Sequence, residues 1–160
     1  MAKTDITAVP GMPQIVITRE FNTSPEFLFR AHTDPELLVQ WLGPRDLAMK
    51  VECLDARHGG TWRYIHEDRN GNEFSFRGVF HGTPSPDGIT QTSEFEGAPG
   101  NVSLESMTFE EHGGKTLLRS IATYQSIEVR DIVIASGMES GVVEGYQRLD
   151  ELAAKLAPVN

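Results

Sequence analysis

Residues 24–44, SPEFLFRAHTDPELLVQWLGP, encode two short helices in succession. Ser24 and Asp34 are N-cap residues, and each is followed by a proline, whose fixed φ suits the first helical position. Gly43 and Pro44 end the second helix. Between these signals, apolar residues one and four positions apart give each helix one apolar face. The segment therefore predicts two small amphipathic helices that cover another part of the molecule.

Strand-like stretches surround this helix pair. Residues 14–21 predict a first strand, and turn signals divide residues 47–125 into further strands. The signals are His58-Gly59-Gly60, Asn70-Gly71, Pro86-Asp87-Gly88 and Gly113-Gly114. They leave about six strands after the helices, and therefore about seven in all, joined as an antiparallel meander.

The last third of the chain changes to a helical period. Ser126 is predicted to cap a short helix through Ala135, and Ser136 to Glu139 form a capping box that starts a longer helix. Its apolar stripe consists of Met138, Val142, Tyr146, Leu149, Leu152 or Ala153, and Leu156. An antiparallel sheet with one long helix on its inner face is an α+β arrangement.

The motifs also resemble a known family. The helix pair, the preceding IVITREF, the later RHGGTWRY and the closing SGMESGVVEGYQRLDELAAKL are similar to the family named after the activator of Hsp90 ATPase, in the START-like (SRPBCC) superfamily. The resemblance spans roughly residues 14–156. It implies a helix-grip fold, in which a curved sheet wraps around the final helix. We accordingly expect a flexible leader over residues 1–13 and a single START-like domain over residues 14–157.

Composition narrows the classes of partner. A length of 160 residues suits one domain. The net charge of −9 disfavours binding to nucleic acid and to anionic lipid surfaces, because like charges repel. Cys53 is the only cysteine, the first residues lack a signal-peptide pattern, and no apolar run approaches the ~20 residues of a membrane helix. The sequence predicts a reduced, cytoplasmic protein without membrane insertion.

Aromatic side chains gather on one face of the predicted sheet. Alternation along residues 61–67 places Trp62, Tyr64 and His66 on one face. Alternation along the next strand places Phe74, Phe76 and Phe80 on one face. We expect core packing for most of these rings, and a ligand cavity is the alternative. The predicted ligand-binding residues are Trp41, Trp62, Tyr64, Phe76, Tyr124, Met138, Gly141 and Val142.

Three glycines are spaced by four in the final helix. Gly137, Gly141 and Gly145 form a line without side chains, and each glycine inside a helix costs ~1 kcal/mol relative to alanine. Two explanations remain open at this point, a close approach of helix to sheet and free space for a ligand. Gly137 is expected to lie at the helix cap, which leaves Gly141 and Gly145 as the informative positions.

The five histidines show no metal-binding spacing, so we predict neither a metal nor a cofactor. His66, His81 and Tyr64 are weak candidates for acid or base catalysis. His32 is expected at a helix end, where a partial positive charge is favourable. Charged residues inside strands, such as Glu105, usually face water, although an inward carboxylate would anchor a polar ligand group.

Three functional hypotheses follow. The first is binding of a small, largely hydrophobic molecule in a cavity between the sheet and the final helix. The second is an enzyme of the polyketide cyclase or dehydratase type that acts on such a molecule. The third, suggested by the family name alone, is an Hsp90-type chaperone interaction module. START-like proteins share a cavity but differ in chemistry, so the resemblance does not decide between them.

Overall fold

A computed structural model describes residues 2–157 of the chain. One antiparallel sheet has the strand order β1-β2-β8-β7-β6-β5-β4-β3. The strands are β1 (Asp5–Ala8), β2 (Gln14–Phe21), β3 (Ala48–Leu54), β4 (Thr61–Glu67), β5 (Glu73–Val79), β6 (Gly88–Phe95), β7 (Val102–His112) and β8 (Lys115–Thr123). The helices are α1 (Pro25–Thr33), α2 (Pro35–Leu38), α3 (Ile127–Ala135) and α4 (Met138–Leu156). The predicted α+β helix-grip fold is confirmed.

The sheet has eight strands instead of seven, because part of the predicted leader is ordered. Residues 5–8 form the edge strand β1, which pairs with β2. Arg130 of α3 fixes the following turn, since its Nη1 donates to the carbonyl oxygens of Val9 at 2.8 Å and Met12 at 2.9 Å. The expectation of a flexible leader is therefore wrong over residues 5–8, and Met1 lies outside the described residues.

The helix pair begins as predicted. The Ser24 hydroxyl accepts from the Phe27 N–H at 3.2 Å, and the Asp34 carboxylate accepts from the Glu36 N–H at 2.9 Å. The second helix is shorter than expected, because α2 ends at Leu38 and the chain continues in turns. Gly43 has a φ of 90°, a left-handed conformation that suits glycine after a helical segment.

The capping box predicted at Ser136 is absent. Ser136 ends α3, and its hydroxyl donates to the Val133 carbonyl instead of capping the next helix. Gly137 precedes α4 with a φ of 85° and gives it no side-chain cap. Only Ser136 and Gly137 separate α3 from α4, and the serine forms the C-terminal cap of the first helix. The cap predicted for α3 at Ser126 is confirmed, since its hydroxyl accepts from the Val129 N–H at 3.1 Å.

The long helix α4 has two parts with different surroundings. Its C-terminal part buries Leu149, Leu152 and Ala153 in the hydrophobic core. The apolar stripe ends there, because Leu156 is 45% exposed. The N-terminal part, from Met138 to Gly145, faces a cavity instead. Helix α4 thus anchors the fold at one end and leaves space beside the sheet at the other.

The four helices within residues 2–157 include none with both the length and the apolar character needed to cross a bilayer.

Candidate functional site

A cavity of about 340 Å³ lies between the inner face of the sheet, the N-terminal part of α4 and the α1–α2 region. We call residues 25–45, which comprise α1, α2 and the following turn, the lid. All eight side chains or glycines predicted to bind ligand line this one cavity: Trp41, Trp62, Tyr64, Phe76, Tyr124, Met138, Gly141 and Val142. These residues come from β4, β5, α4, the turn after α2 and the residue after β8, and their role in binding stays a prediction.

Strands β4 and β5 supply an aromatic wall. The rings of Trp62 and Tyr64 are stacked with centroids 5.0 Å apart, and those of Tyr64 and Phe76 are 5.6 Å apart. Gly78 makes room for this stack, because a Cβ there would lie 2.6 Å from the Trp62 indole and 1.9 Å from the Thr92 carbonyl oxygen. Phe80 also lines the cavity, whereas Phe74 is exposed at the end of the strand.

Trp41 forms the contact between the lid and the rest of the cavity. Its side chain is only 2% exposed, and its Nε1 donates to the Ala31 carbonyl at 2.9 Å. The indole stacks on Tyr146 of α4 at a centroid distance of 6.1 Å and meets the His32 ring at 4.7 Å. Trp41 therefore serves both as a contact between the lid and α4 and as part of the cavity wall.

Polar contacts hold the lid against α4. The Arg148 guanidinium donates to the carbonyl oxygens of Gly43 and Gln40, both at 3.0 Å. Arg45 pairs with Glu151 at 2.7 Å on the same side. These contacts fasten the turn after α2, which includes the cavity-lining Gly43, to α4.

The two informative glycines of α4 have different neighbours. A Cβ at Gly145 would lie 3.2 Å from the Gly43 nitrogen and 3.3 Å from the Trp41 oxygen, so this glycine permits close packing against the lid. A Cβ at Gly141 would meet only the Pro44 Cδ, at 3.7 Å, on the cavity border. Of the two explanations left open by the sequence, close approach applies at Gly145, where α4 meets the lid and not the sheet, and free space applies at Gly141.

Leucine substitutions at these glycines should have opposite effects on stability. Gly141→Leu should leave the free energy of unfolding unchanged or raise it by up to ~1 kcal/mol, because it removes a glycine from a helix where space exists. Gly145→Leu should lower it by ~1 to 3 kcal/mol, because the side chain meets lid backbone. Denaturant unfolding of the two variants, each the control for the other, measures the difference. A clear loss for Gly141→Leu would refute the assignment of free space there.

The predicted acid-base candidates are separated in the structure. His66 and Tyr64 line the cavity, whereas His81 lies outside it with an exposed side chain. Burial, aided by the positive charge of Arg148, lowers the pKa of His66 and favours a neutral imidazole. Burial and the nearby Glu105 raise the pKa of the Tyr64 phenol, which stays protonated. The Nδ1 of His66 and the Nε1 of Trp62 have no hydrogen-bond partner within residues 2–157.

His32 differs from its expected role. Its ring lies between Trp41 and Phe109, and burial lowers its pKa to about 4. Its Nδ1 is 2.6 Å from the Leu28 carbonyl oxygen, which can only accept, so Nδ1 carries the proton. The positive charge expected at the end of α1 is therefore wrong, because the loss of hydration outweighs the favourable helix terminus.

One charged group in the cavity wall takes the orientation that the sequence reasoning gave only as the alternative. Glu105 lies on β7 opposite Gln91 of β6, and the Gln91 Nε2 donates to its Oε1 at 2.9 Å. The expectation that a strand carboxylate faces water is wrong here. Strand alternation indicates the inward orientation of Glu105, because Glu105 shares its face of β7 with Met107 and Phe109, and Phe109 is buried in the core.

Comparison with known proteins agrees with this architecture. Residues 22–154 match the family model described as Activator of Hsp90 ATPase homolog 1-like protein. The chain belongs to this family. No curated protein matches its sequence.

Solved structures of other Activator of Hsp90 ATPase homolog 1-like and related proteins share the fold. A Rhodobacter sphaeroides protein is 26% identical with a TM-score of 0.88, over 96% of this chain and 100% of that one. A Mycobacterium smegmatis protein is 23% identical with a TM-score of 0.86, over 100% and 99% of the two chains. The AHSA1 protein of Silicibacter pomeroyi is 23% identical with a TM-score of 0.71, over 89% and 99%.

Proposed function

We propose that this protein binds a small, largely hydrophobic molecule in the cavity between its sheet and α4. The observation that carries the proposal is the cavity of about 340 Å³, walled by aromatic and aliphatic side chains with a few polar groups. Concave, mostly apolar sites of this size with a small number of polar groups are typical of small-molecule binding. The START-like fold is compatible with this role.

The alternatives have less support. An enzyme of the cyclase or dehydratase type would use His66 or Tyr64 to move a proton, but the raised pKa of Tyr64 makes the phenol a poor base. A chaperone interaction module would need an apolar surface patch, whereas the aromatic residues predicted to bind ligand line the cavity. Binding without chemical change is the simplest function for this cavity.

A neutral fluorescent probe tests the proposal. We expect N-phenylnaphthylamine to bind at one saturable site and to change the emission of Trp41 and Trp62, both of which line the cavity. Affinity should change little with salt, because burial of apolar area drives binding. The titration is followed by probe and tryptophan fluorescence at low and high salt.

Replacement of each tryptophan by phenylalanine identifies the reporter. The change in tryptophan emission on probe binding should be smaller in the variant that lacks the reporting indole, either Trp62→Phe or Trp41→Phe. Probe binding should persist in both variants with altered affinity. Binding that does not saturate, or that keeps its affinity when both tryptophans are replaced, would contradict a site in this cavity.

A further inference from the structure

The cavity contains a carboxyl group that the binding of a purely apolar ligand would leave unexplained. Glu105 lies on the inner face of β7, between Gln91 of β6 and Ala122 of β8 in register. Its side chain lines the cavity, and burial raises its pKa. Glu105 is partly buried, and a carboxyl group withdrawn from water is costly unless another group compensates its charge or satisfies its hydrogen-bonding capacity.

The protein supplies little compensation. Oε1 accepts one hydrogen bond, from Gln91, and within residues 2–157 neither a salt bridge nor a second side-chain hydrogen bond involves Glu105. By contrast, the inward Arg19 of β2 is paired with Asp150 of α4 at 2.9 Å. Glu105 therefore has the capacity to accept a further charge-assisted hydrogen bond from within the cavity.

Three tyrosines line the same cavity as this carboxyl group: Tyr64 on β4, Tyr124 directly after β8 and Tyr146 on α4. The negative charge of Glu105 contributes to the raised pKa of each phenol. Ring faces attract cations, and the attraction is strongest where water is excluded. A carboxylate among aromatic rings is a favourable environment for an organic ammonium ion.

We propose that Glu105 binds the ammonium group of an otherwise apolar amine, with the tyrosine rings around the cation and the hydrophobic part along the Trp62–Phe76 wall. This inference rests on the proposed ligand-binding function and specifies its ligand class. An ammonium ion pairs with the carboxylate and contacts the rings at the same time. A neutral alcohol gains only the hydrogen bond, and an anionic ligand is repelled.

Ligands with one carbon skeleton test the proposal. Phenylbutylamine, the corresponding alcohol, the carboxylate and the hydrocarbon butylbenzene are titrated by displacement of N-phenylnaphthylamine. We expect the amine to bind about 10- to 100-fold more tightly than butylbenzene, the range of a hydrogen bond to a charged group. The alcohol should lie between them and the carboxylate should bind most weakly.

Glu105→Gln keeps the shape of the side chain and removes its charge. We expect this variant to lose most of the preference for the amine and to keep the affinity for butylbenzene within about twofold. Glu110→Gln, on an exposed position of the same strand, is the matched control and should bind all four ligands as wild type does.

The pH dependence of amine affinity is an independent test of the proposal. Amine affinity should rise with pH as Glu105 loses its proton, and this rise should be absent in Glu105→Gln. The other titratable groups that line the cavity are Cys53 on β3, His66 and Tyr64 on β4, Tyr124 directly after β8, Tyr146 on α4 and His32 on α1. All six remain in the variant, so the difference between the two profiles belongs to Glu105.

The outcomes separate this inference from the general function. Equal binding of amine and hydrocarbon by the wild type, tighter binding of the alcohol, or unchanged amine affinity in Glu105→Gln would overturn the ammonium site and leave the apolar cavity standing. Failure of butylbenzene and the amine alike to displace the probe would overturn both proposals.

Discussion

Replacement of Trp41 by alanine is expected to lower the free energy of unfolding by about 3 to 5 kcal/mol, among the largest effects of a core truncation. The indole joins the turn after α2, in which it lies, to α1 through its hydrogen bond to the Ala31 carbonyl and to α4 through its stacking on Tyr146. Its loss leaves a void between the lid and α4. Urea-induced unfolding of both proteins measures the difference.

Trp41→Phe separates the volume of the indole from its hydrogen bond. The phenylalanine ring fills much of the space but leaves the Ala31 carbonyl without its partner, so a loss of about 1 to 2 kcal/mol is expected. A loss below about 1 kcal/mol for Trp41→Ala would mean that the lid does not depend on this contact.

Acidification is expected to destabilise the protein through His32. Its pKa is about 4 in the folded protein and 6.5 in an unperturbed histidine, so between these values the unfolded chain binds a proton that the folded chain does not. Stability is therefore fully present above pH 6.5 and falls as the pH decreases toward 4, by up to about 3 kcal/mol from this residue. The lowered pKa of His66 acts in the same direction.

His32→Gln isolates this contribution. Between pH 7 and pH 4, the free energy of unfolding should decrease less in this variant than in the wild type. The difference between the two decreases should be up to about 3 kcal/mol. His81→Gln, at an exposed position outside the cavity, is the control and should retain the wild-type profile. Parallel profiles for His32→Gln and wild type would show that the His32 ring is not held neutral by burial.

Local signals in the sequence predicted most of the architecture. The caps at Ser24, Asp34 and Ser126 formed as expected because each depends on residues two or three positions away. The hairpin at Gly113-Gly114 formed for the same reason, since both glycines adopt the positive φ that the tight turn requires. Strand alternation likewise predicted the shared face of Trp62 and Tyr64.

The features that sequence reasoning missed depend on distant parts of the chain. Strand β1 has only four residues and little apolar pattern, and it is held by pairing with β2 and by a turn that Arg130 fixes. The neutral His32 follows from rings packed around it in three dimensions. Glu105 was expected to face solvent because it is charged, although its position in the alternation of β7 indicated the inner face of the sheet.

The function was the least predictable part of the account. The sequence singled out cavity residues such as Trp41 and Gly141, because aromatic rings and helix glycines are visible patterns. It did not separate Gly141, beside free space, from Gly145, which packs against lid backbone. The distinction depends on where the lid lies relative to α4, which only the structure shows. It decides at which glycine a larger side chain would enter the cavity.

Titration of N-phenylnaphthylamine into wild type and Gly141→Leu tests the cavity most directly. The account predicts saturable binding of one probe per wild-type molecule, affinity at least about tenfold weaker in Gly141→Leu because the leucine occupies the cavity, and unfolding free energy in that variant equal to or above that of the wild type. Equal affinity in the two stably folded proteins, or no saturable binding by the wild type, would contradict the claim that this cavity is the binding site.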